Sequence, residues 1–142
     1  MPRLTLKVQE IYVRWVAIIY LILASIGLTS VSAGITGYPF QLDFWGMSGL
    51  HDNPGLVIIY LIIGGLAALV GFLIGTPEPA YSFTLVVGPL LILIGLVGFI
   101  SASYFGLLGR GAGIGDDILN LIIGAIGLYI VLTRRMRLGG VD

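Results

Sequence analysis

The hydrophobic pattern of the chain consists of four long apolar stretches, joined by shorter segments that hold most of its charge. The pattern predicts helices over residues of about 12–33, 54–75, 80–102 and 117–134. A helix needs about 20 apolar residues to cross the hydrocarbon core of a bilayer, because each residue rises only about 1.5 Å. We therefore expect an all-α integral membrane protein, with residues 1–142 forming one four-helix transmembrane bundle.

The connections predict how the helices run. Residues 76–79 (TPEP) hold two prolines, which cannot continue a helix and force an antiparallel hairpin. Lys and Arg precede the first stretch and follow the last, whereas the longer connections hold only Arg110. By the positive-inside bias, both termini are expected in the cytoplasm, at a prokaryotic inner or photosynthetic membrane. Val31 and Ala33 also resemble a signal cleavage site, but the apolar stretch is longer than a usual signal core, so we expect the first helix to remain.

Two stretches repeat nearly the same sequence, YLIIGGLAAL from residue 60 and NLIIGAIGLY from residue 120. The first and third stretches also correspond, with LILASIGL at Leu21 and LILIGL at Leu91. Chance matches are common among sequences of Leu, Ile, Gly and Ala, but the joint correspondence favours duplication. The bundle is then built from two parallel helical-hairpin repeats, related by an axis along the membrane normal.

Small residues at helical spacing mark the expected helix-packing faces. Helices in lipid associate through close backbone approach and interhelical hydrogen bonds. These faces pack the helices of one chain or, as the alternative, form a homodimer interface. Asn120 is expected to bond to a neighbouring helix, with water as the alternative partner. The predicted helix-packing residues are Gly64, Ala68, Gly71, Gly75, Asn120, Gly124 and Gly127.

The second and fourth stretches both follow an Asp or Asn, so we expect Asn53 and Asp116 to be helix N-caps. The pattern over residues 53–64 and 116–127 resembles a bacterial family of small four-span membrane proteins, domain of unknown function 4383. Members of that family often carry a histidine four residues before the central glycine, where this chain has Tyr60 and Asn120. The resemblance implies the four-span fold and no activity.

Composition restricts the chemistry of the chain. It has no cysteine and a net charge of zero, so thiolate sites are excluded and nucleic acid is not an expected partner. His51 is the only histidine, whereas a b-type haem normally needs two. The apolar spans within these helices, residues 15–33, 55–75, 80–102 and 118–133, contain no Asp, Glu, Lys, Arg or His, so ion-coupled transport is not expected. We predict no catalytic, cofactor-binding or metal-binding residues.

Two groups of polar or aromatic residues lie in the connections. Five could form an outward metal or proton site, although solvated loop acids and helix caps are the favoured interpretation: Asp43, His51, Asp52, Asp116 and Asp117. Four aromatic residues suit a lipid interface or, as a compatible alternative, a contact with a partner subunit. These are Tyr38, Phe40, Phe44 and Trp45.

The sequence therefore predicts a non-enzymatic accessory or scaffold subunit of a larger membrane complex. Its expected partners are the lipid bilayer and other membrane subunits, or further copies of the chain. One alternative is a module that binds an apolar ligand, such as a lipid, quinone or pigment, beside a kink at Pro89. The other alternative is a small facilitative channel or transporter.

Overall fold

The computed structural model describes residues 2–32, 54–101, 105 and 114–138, and this part of the chain forms four long helices without a strand. Each helix contains a segment of 20 to 24 residues that is long and apolar enough to cross a membrane. The all-α class and the four membrane-length helices are thus confirmed. The elements are α1 (Pro2–Ser32), α2 (Pro54–Ala68) with a π-helical continuation (Leu69–Ile74), α3 (Pro77–Ile100) and α4 (Ile114–Leu138).

α1 begins ten residues earlier than the predicted residue 12. The reason is that its helical period continues through charged positions. Gln9, Tyr12 and Val13 are buried, whereas Lys7 and Arg14 on the other face are exposed. An amphipathic stripe of this kind forms a helix even where charged residues interrupt the apolar sequence.

Ionisable residues lie inside the membrane-length segments, because two of these segments extend beyond the uncharged spans considered in the sequence. The segment Lys7–Leu28 in α1 includes Arg14, and the segment Ile114–Thr133 in α4 includes Asp116 and Asp117. Because the prediction counted only uncharged residues, it placed the starts of α1 and α4 too late in the chain. The argument against ion-coupled transport that rested on this count therefore no longer applies.

Close backbone contacts join the helices into antiparallel pairs. A Cβ atom at Gly64 of α2 would lie 2.9 Å from the amide nitrogen of Leu21 in α1. In the second pair, a Cβ atom at Gly124 of α4 would lie 2.7 Å from the Gly88 carbonyl oxygen and 2.8 Å from the Ile92 amide nitrogen. Real Cβ atoms essentially never come that near, so both contacts depend on glycine.

The π-helical turn at the end of α2 determines how that helix terminates. Gly75 has a φ of 61°, and its amide donates to the Val70 carbonyl at 3.0 Å. A left-handed conformation after the last turn is a common helix ending that favours glycine. A Cβ atom at Gly75 would meet nothing within 4 Å, so this glycine is a helix cap instead of the predicted packing residue.

The backbone contacts also define the two ends of the bundle. Arg14 near the start of α1 lies beside Gly71 near the end of α2. Tyr12 of α1 lies beside Gly127 of α4, so α4 also runs toward this end. We call it the Arg14 end, where α1 begins and where α2 and α4 finish.

Adjacent glycines of α2 allow a matched test of this packing. Gly64→Ala should lower the free energy of unfolding by about 1–3 kcal/mol, because the added methyl overlaps the α1 backbone. Gly65 is exposed, and a Cβ atom there would meet nothing within 4 Å. Gly65→Ala should therefore be neutral or stabilise by up to about 1 kcal/mol. Thermal unfolding in mild detergent, followed by circular dichroism, compares the two, and equal effects would contradict the assigned contact face.

Candidate functional site

Three helices contribute buried polar side chains to one point in the bundle. They are Tyr20 from α1, Tyr60 from α2 and Asn120 from α4, and each side chain is fully buried. The Tyr20 hydroxyl donates to Asn120 Oδ1 at 2.6 Å, and Asn120 Nδ2 donates to the Tyr60 hydroxyl at 2.9 Å. We call this group the Tyr–Asn network.

The two tyrosine rings of the Tyr–Asn network also contact each other. Their centroids are 4.9 Å apart, and the planes of Tyr20 and Tyr60 meet at 84°. An edge-to-face arrangement of this kind is favourable for aromatic pairs. Asn120 thus bonds to both α1 and α2, whereas the sequence left open whether its partner was a helix or water.

A second polar contact joins α1 to α4 closer to the Arg14 end. The Tyr12 hydroxyl donates to the backbone carbonyl of Ile123 at 2.9 Å. This contact depends on Gly127, because a Cβ atom there would overlap the Tyr12 hydroxyl. Gly127 is therefore a packing residue, as predicted, but its neighbour is a tyrosine side chain on α1.

Two carboxylates lie buried at the start of α4. Asp116 is fully buried and Asp117 is 2% exposed. α4 begins at Ile114, so Asp116 lies within the first helical turn and is not the N-cap that the sequence predicted. Both acids benefit from the positive end of the helix dipole, and both take part in interactions of their own.

Asp117 packs against α3 where that helix has no side chain. A Cβ atom at Gly98 would overlap the Asp117 carboxylate, and one at Gly95 would lie 2.7 Å from the Asp117 backbone oxygen. Asp116 is four residues before Asn120, which places the two on the same face of α4. The buried acids therefore continue the polar line of the Tyr–Asn network toward the end of the bundle opposite to Arg14.

The predicted packing residues fall into several environments. Gly64 and Gly124 make close contacts with the backbone of a neighbouring helix, and Gly71 lies against Arg14. Ala68 is only half-buried, whereas its neighbour Ala67 is fully buried. The π-helical turn begins directly after Ala68, so a stripe extrapolated at α-helical spacing does not continue to the end of α2.

Several sequence predictions concern residues outside the described part of the chain. They include the Asn53 N-cap, although α2 begins at the next residue, Pro54. His51 and the aromatic residues of the first connection also lie outside it. Within residues 2–32, 54–101, 105 and 114–138, no group of three or more His, Asp or Glu side chains could hold a metal.

Sequence reasoning missed the buried acids, the Arg14 contact and the contact of Gly27 with Val57. A helical wheel of residues 114–124 could have found the acids, because Asp116 and Asp117 share a face with Asn120 and Gly124. The Arg14 contact could not have been found this way, since it depends on the π-helical turn.

The fold and the site together define a small all-α bundle of four helices, each with a segment long and apolar enough to cross a membrane. Comparison with known proteins adds no relative, since no family model, curated protein or solved structure matches the chain. The resemblance to domain of unknown function 4383 stays a prediction.

The Tyr–Asn network gives a prediction about stability. Asn120→Leu should lower the free energy of unfolding by about 1–3 kcal/mol, because two interhelical hydrogen bonds are lost and Tyr20 loses its acceptor. Ser25→Ala is the matched control, since the Ser25 hydroxyl is exposed and bonds within α1 to the Leu21 carbonyl. It should change stability by less than about 0.5 kcal/mol. Unfolding in mild detergent measures both, and a neutral Asn120→Leu would contradict a structural role for the network.

Proposed function

We propose that the chain is a small non-enzymatic membrane protein that serves as an accessory or scaffold subunit of a larger membrane complex. The proposal rests on which residues fill the interior of the bundle and what they contact. Glycine contacts bring the helix backbones together, and Tyr20, Tyr60 and Asn120 bond to one another inside the bundle. The interior thus serves to hold the four helices together, and interactions with other molecules fall to the outer surface.

The outer surface suits contacts within a membrane. Each helix exposes several large apolar side chains, and in lipid these meet either acyl chains or the helices of a partner. Each helix offers at least one apolar position near its middle that is more than 45% exposed, and one is chosen from each helix. These are Ile22 on α1, Ile62 on α2, Leu93 on α3 and Ile126 on α4.

Corresponding contacts support the proposal that the bundle is built from two parallel hairpin repeats. In each antiparallel pair, one glycine faces a side chain near a helix end and another faces a backbone amide near the middle. The pairs are Gly27 with Val57, Gly64 with Leu21, Gly98 with Asp117, and Gly124 with Ile92. Residues of α3 follow their counterparts in α1 by 71 positions, and residues of α4 follow those in α2 by 60.

Burial in α2 and α4 follows the offset of 60 positions. The helix positions that are buried from Leu56 to Gly71 in α2 are also buried from Asp116 to Val131 in α4. On this assignment Leu21 corresponds to Ile92, one position beyond the match that the sequence suggested at Leu91. Tyr60 and Asn120 are then equivalent positions that bond to each other where the two hairpins meet.

Charge supports the proposed orientation. Lys7 and Arg14 lie on α1 toward the Arg14 end, and Arg134 is on the part of α4 that runs to the same end. We propose that this end, with both termini, faces the cytoplasm of a prokaryotic cell, following the positive-inside bias.

A facilitative or coupled transporter is the second candidate, and the buried acids favour it. Asp116 and Asp117 lie inside a membrane-length segment, where ionisable side chains usually mark an ion or proton path. The contacts at Gly95 and Gly98 fill the interface beside them, which favours a packing role instead. Proteoliposome flux that is lost on Asp116→Asn would support transport.

Binding of a quinone or pigment has less support. Pro89 lies within α3 as expected, but it is exposed on the outer side of that helix. A ligand at this position would lie at the lipid-facing surface instead of in an internal pocket.

Site-specific photocrosslinking in native membranes tests the scaffold proposal. A photoreactive residue at Ile22, Ile62, Leu93 or Ile126 should give, for at least one helix, a crosslink to a defined membrane protein in constant stoichiometry. Ile63 is only 4% exposed and provides the matched control beside Ile62, so it should react only within the chain. A monomer of 15.1 kDa that crosslinks to lipid alone from all four outer positions would contradict the proposal.

A further inference from the structure

The side chain of Arg14 has a fixed position at the surface between α1 and the π-helical turn. Its Nε donates to the backbone carbonyl of Gly71 at 2.9 Å. Its Cζ lies 5.8 Å from the centroid of the Phe72 ring, within the range of a cation–π contact. One nitrogen and one face of the guanidinium are therefore occupied by the protein.

The π-helical turn makes the Gly71 carbonyl available to Arg14. The last carbonyls of a helix have no partner farther along the same helix. Here the Gly75 amide bonds to Val70, and the side chain of Arg14 bonds to Gly71. A Cβ atom at Gly71 would lie 3.1 Å from Arg14 Cγ, so the absence of a side chain also lets the arginine stem approach.

Arg14 lies at the boundary between the charged first turns of α1 and the apolar stretch that starts at Trp15. An arginine has five N–H donors, and the other four are on the two terminal nitrogens. Arg14 is exposed, and so are the apolar side chains of Trp15 and Ile18 in the following turn of α1 and of Leu73 in the π-helical turn. Donors at such a boundary are stabilised by a strong acceptor. Two parallel N–H groups match the geometry of a phosphate.

The charge at this end of the bundle favours an anionic ligand. Lys7 lies on α1, and Arg134, Arg135 and Arg137 lie on the last turns of α4, which runs antiparallel to α1. Glu10 and Glu78 are the acids in the neighbouring turns of α1 and α3. By sequence, the helix ends that meet here carry more cationic residues than acids, and cationic segments at a membrane surface attract anionic lipid.

We propose that Arg14, held by the Gly71 carbonyl and the Phe72 ring, binds the phosphate group of an anionic phospholipid. The lipid headgroup lies at the Arg14 end, between α1 and the π-helical turn, and its acyl chain extends along the exposed apolar side chains of α1. This site is independent of the scaffold role, because it requires only that the bundle lie in a membrane.

Native mass spectrometry of the full chain in neutral detergent tests the site. The probes are phosphatidylglycerol, phosphatidylcholine and inorganic phosphate. The wild-type chain should retain phosphatidylglycerol in preference to phosphatidylcholine. Arg14→Gln should weaken phosphatidylglycerol binding by about tenfold or more, since a charge-assisted hydrogen-bonded pair is lost. Lys7→Gln removes a charge from the same helix and should change binding by no more than about twofold.

A second variant separates binding from folding. Arg14→Lys keeps the charge but loses the planar pair of donors, so its loss of binding should lie between those of Lys7→Gln and Arg14→Gln. Circular dichroism verifies that each variant is helical. Wild-type binding by Arg14→Gln or Arg14→Lys, or an equal loss in Lys7→Gln, would overturn the site. Displacement of phosphatidylglycerol by millimolar inorganic phosphate would show that the ligand is free phosphate and overturn the lipid assignment.

Discussion

The close approach of helix backbones at glycine is the contact on which the rest of this structure depends. In a bilayer the lipid is as apolar as leucine, so burying leucine between helices gives little net driving force. What remains is van der Waals contact, which requires that backbones come near each other. Gly64 in the first helix pair and Gly124 in the second provide this approach, because a single methyl at either position would overlap the opposite backbone.

The Tyr–Asn network fixes the axial register of the helices that meet at these glycine contacts. Glycines alone provide no side chains that interlock with the opposite helix, so two helices could shift by one turn with little loss of contact area. The hydrogen bonds that join Asn120 to the hydroxyls of Tyr20 and Tyr60 fix three helices at one level, since a shift would leave buried polar atoms without partners. At the Arg14 end, the bond from Arg14 to Gly71 fixes α1 against the end of α2 in the same way.

Much of the fold could be predicted from the sequence, because hydropathy over about 20 residues depends mainly on composition. The helix ends could not be predicted as well. The length of an uncharged stretch does not show that α1 continues through Lys7 and Arg14, where its buried face is continuous. It also misses the burial of Asp117, whose carboxylate lies against Gly98, where α3 has no side chain.

The candidate site could be predicted only in part. Asn120 is visible as a lone amide in an apolar stretch, and a bond to a neighbouring helix follows from that setting. Its partners depend on how four helices rotate against each other, which hydropathy does not encode. The π-helical turn shows the same limit, because it changes the spacing after Ala68 and converts Gly75 from an expected packing residue into a helix cap.

Formation of an engineered disulfide between α1 and α2 tests the central claim most directly, since the chain has no cysteine of its own. A Cβ atom at Gly27 would lie 3.3 Å from the Cβ of Val57, close to the separation that a disulfide spans. Under mild oxidation in membranes, Gly27→Cys with Val57→Cys should crosslink nearly completely, and Gly27→Cys with the outward-facing Ile58→Cys should not. Failure of the first pair, or equal crosslinking of both, would contradict the proposed backbone approach.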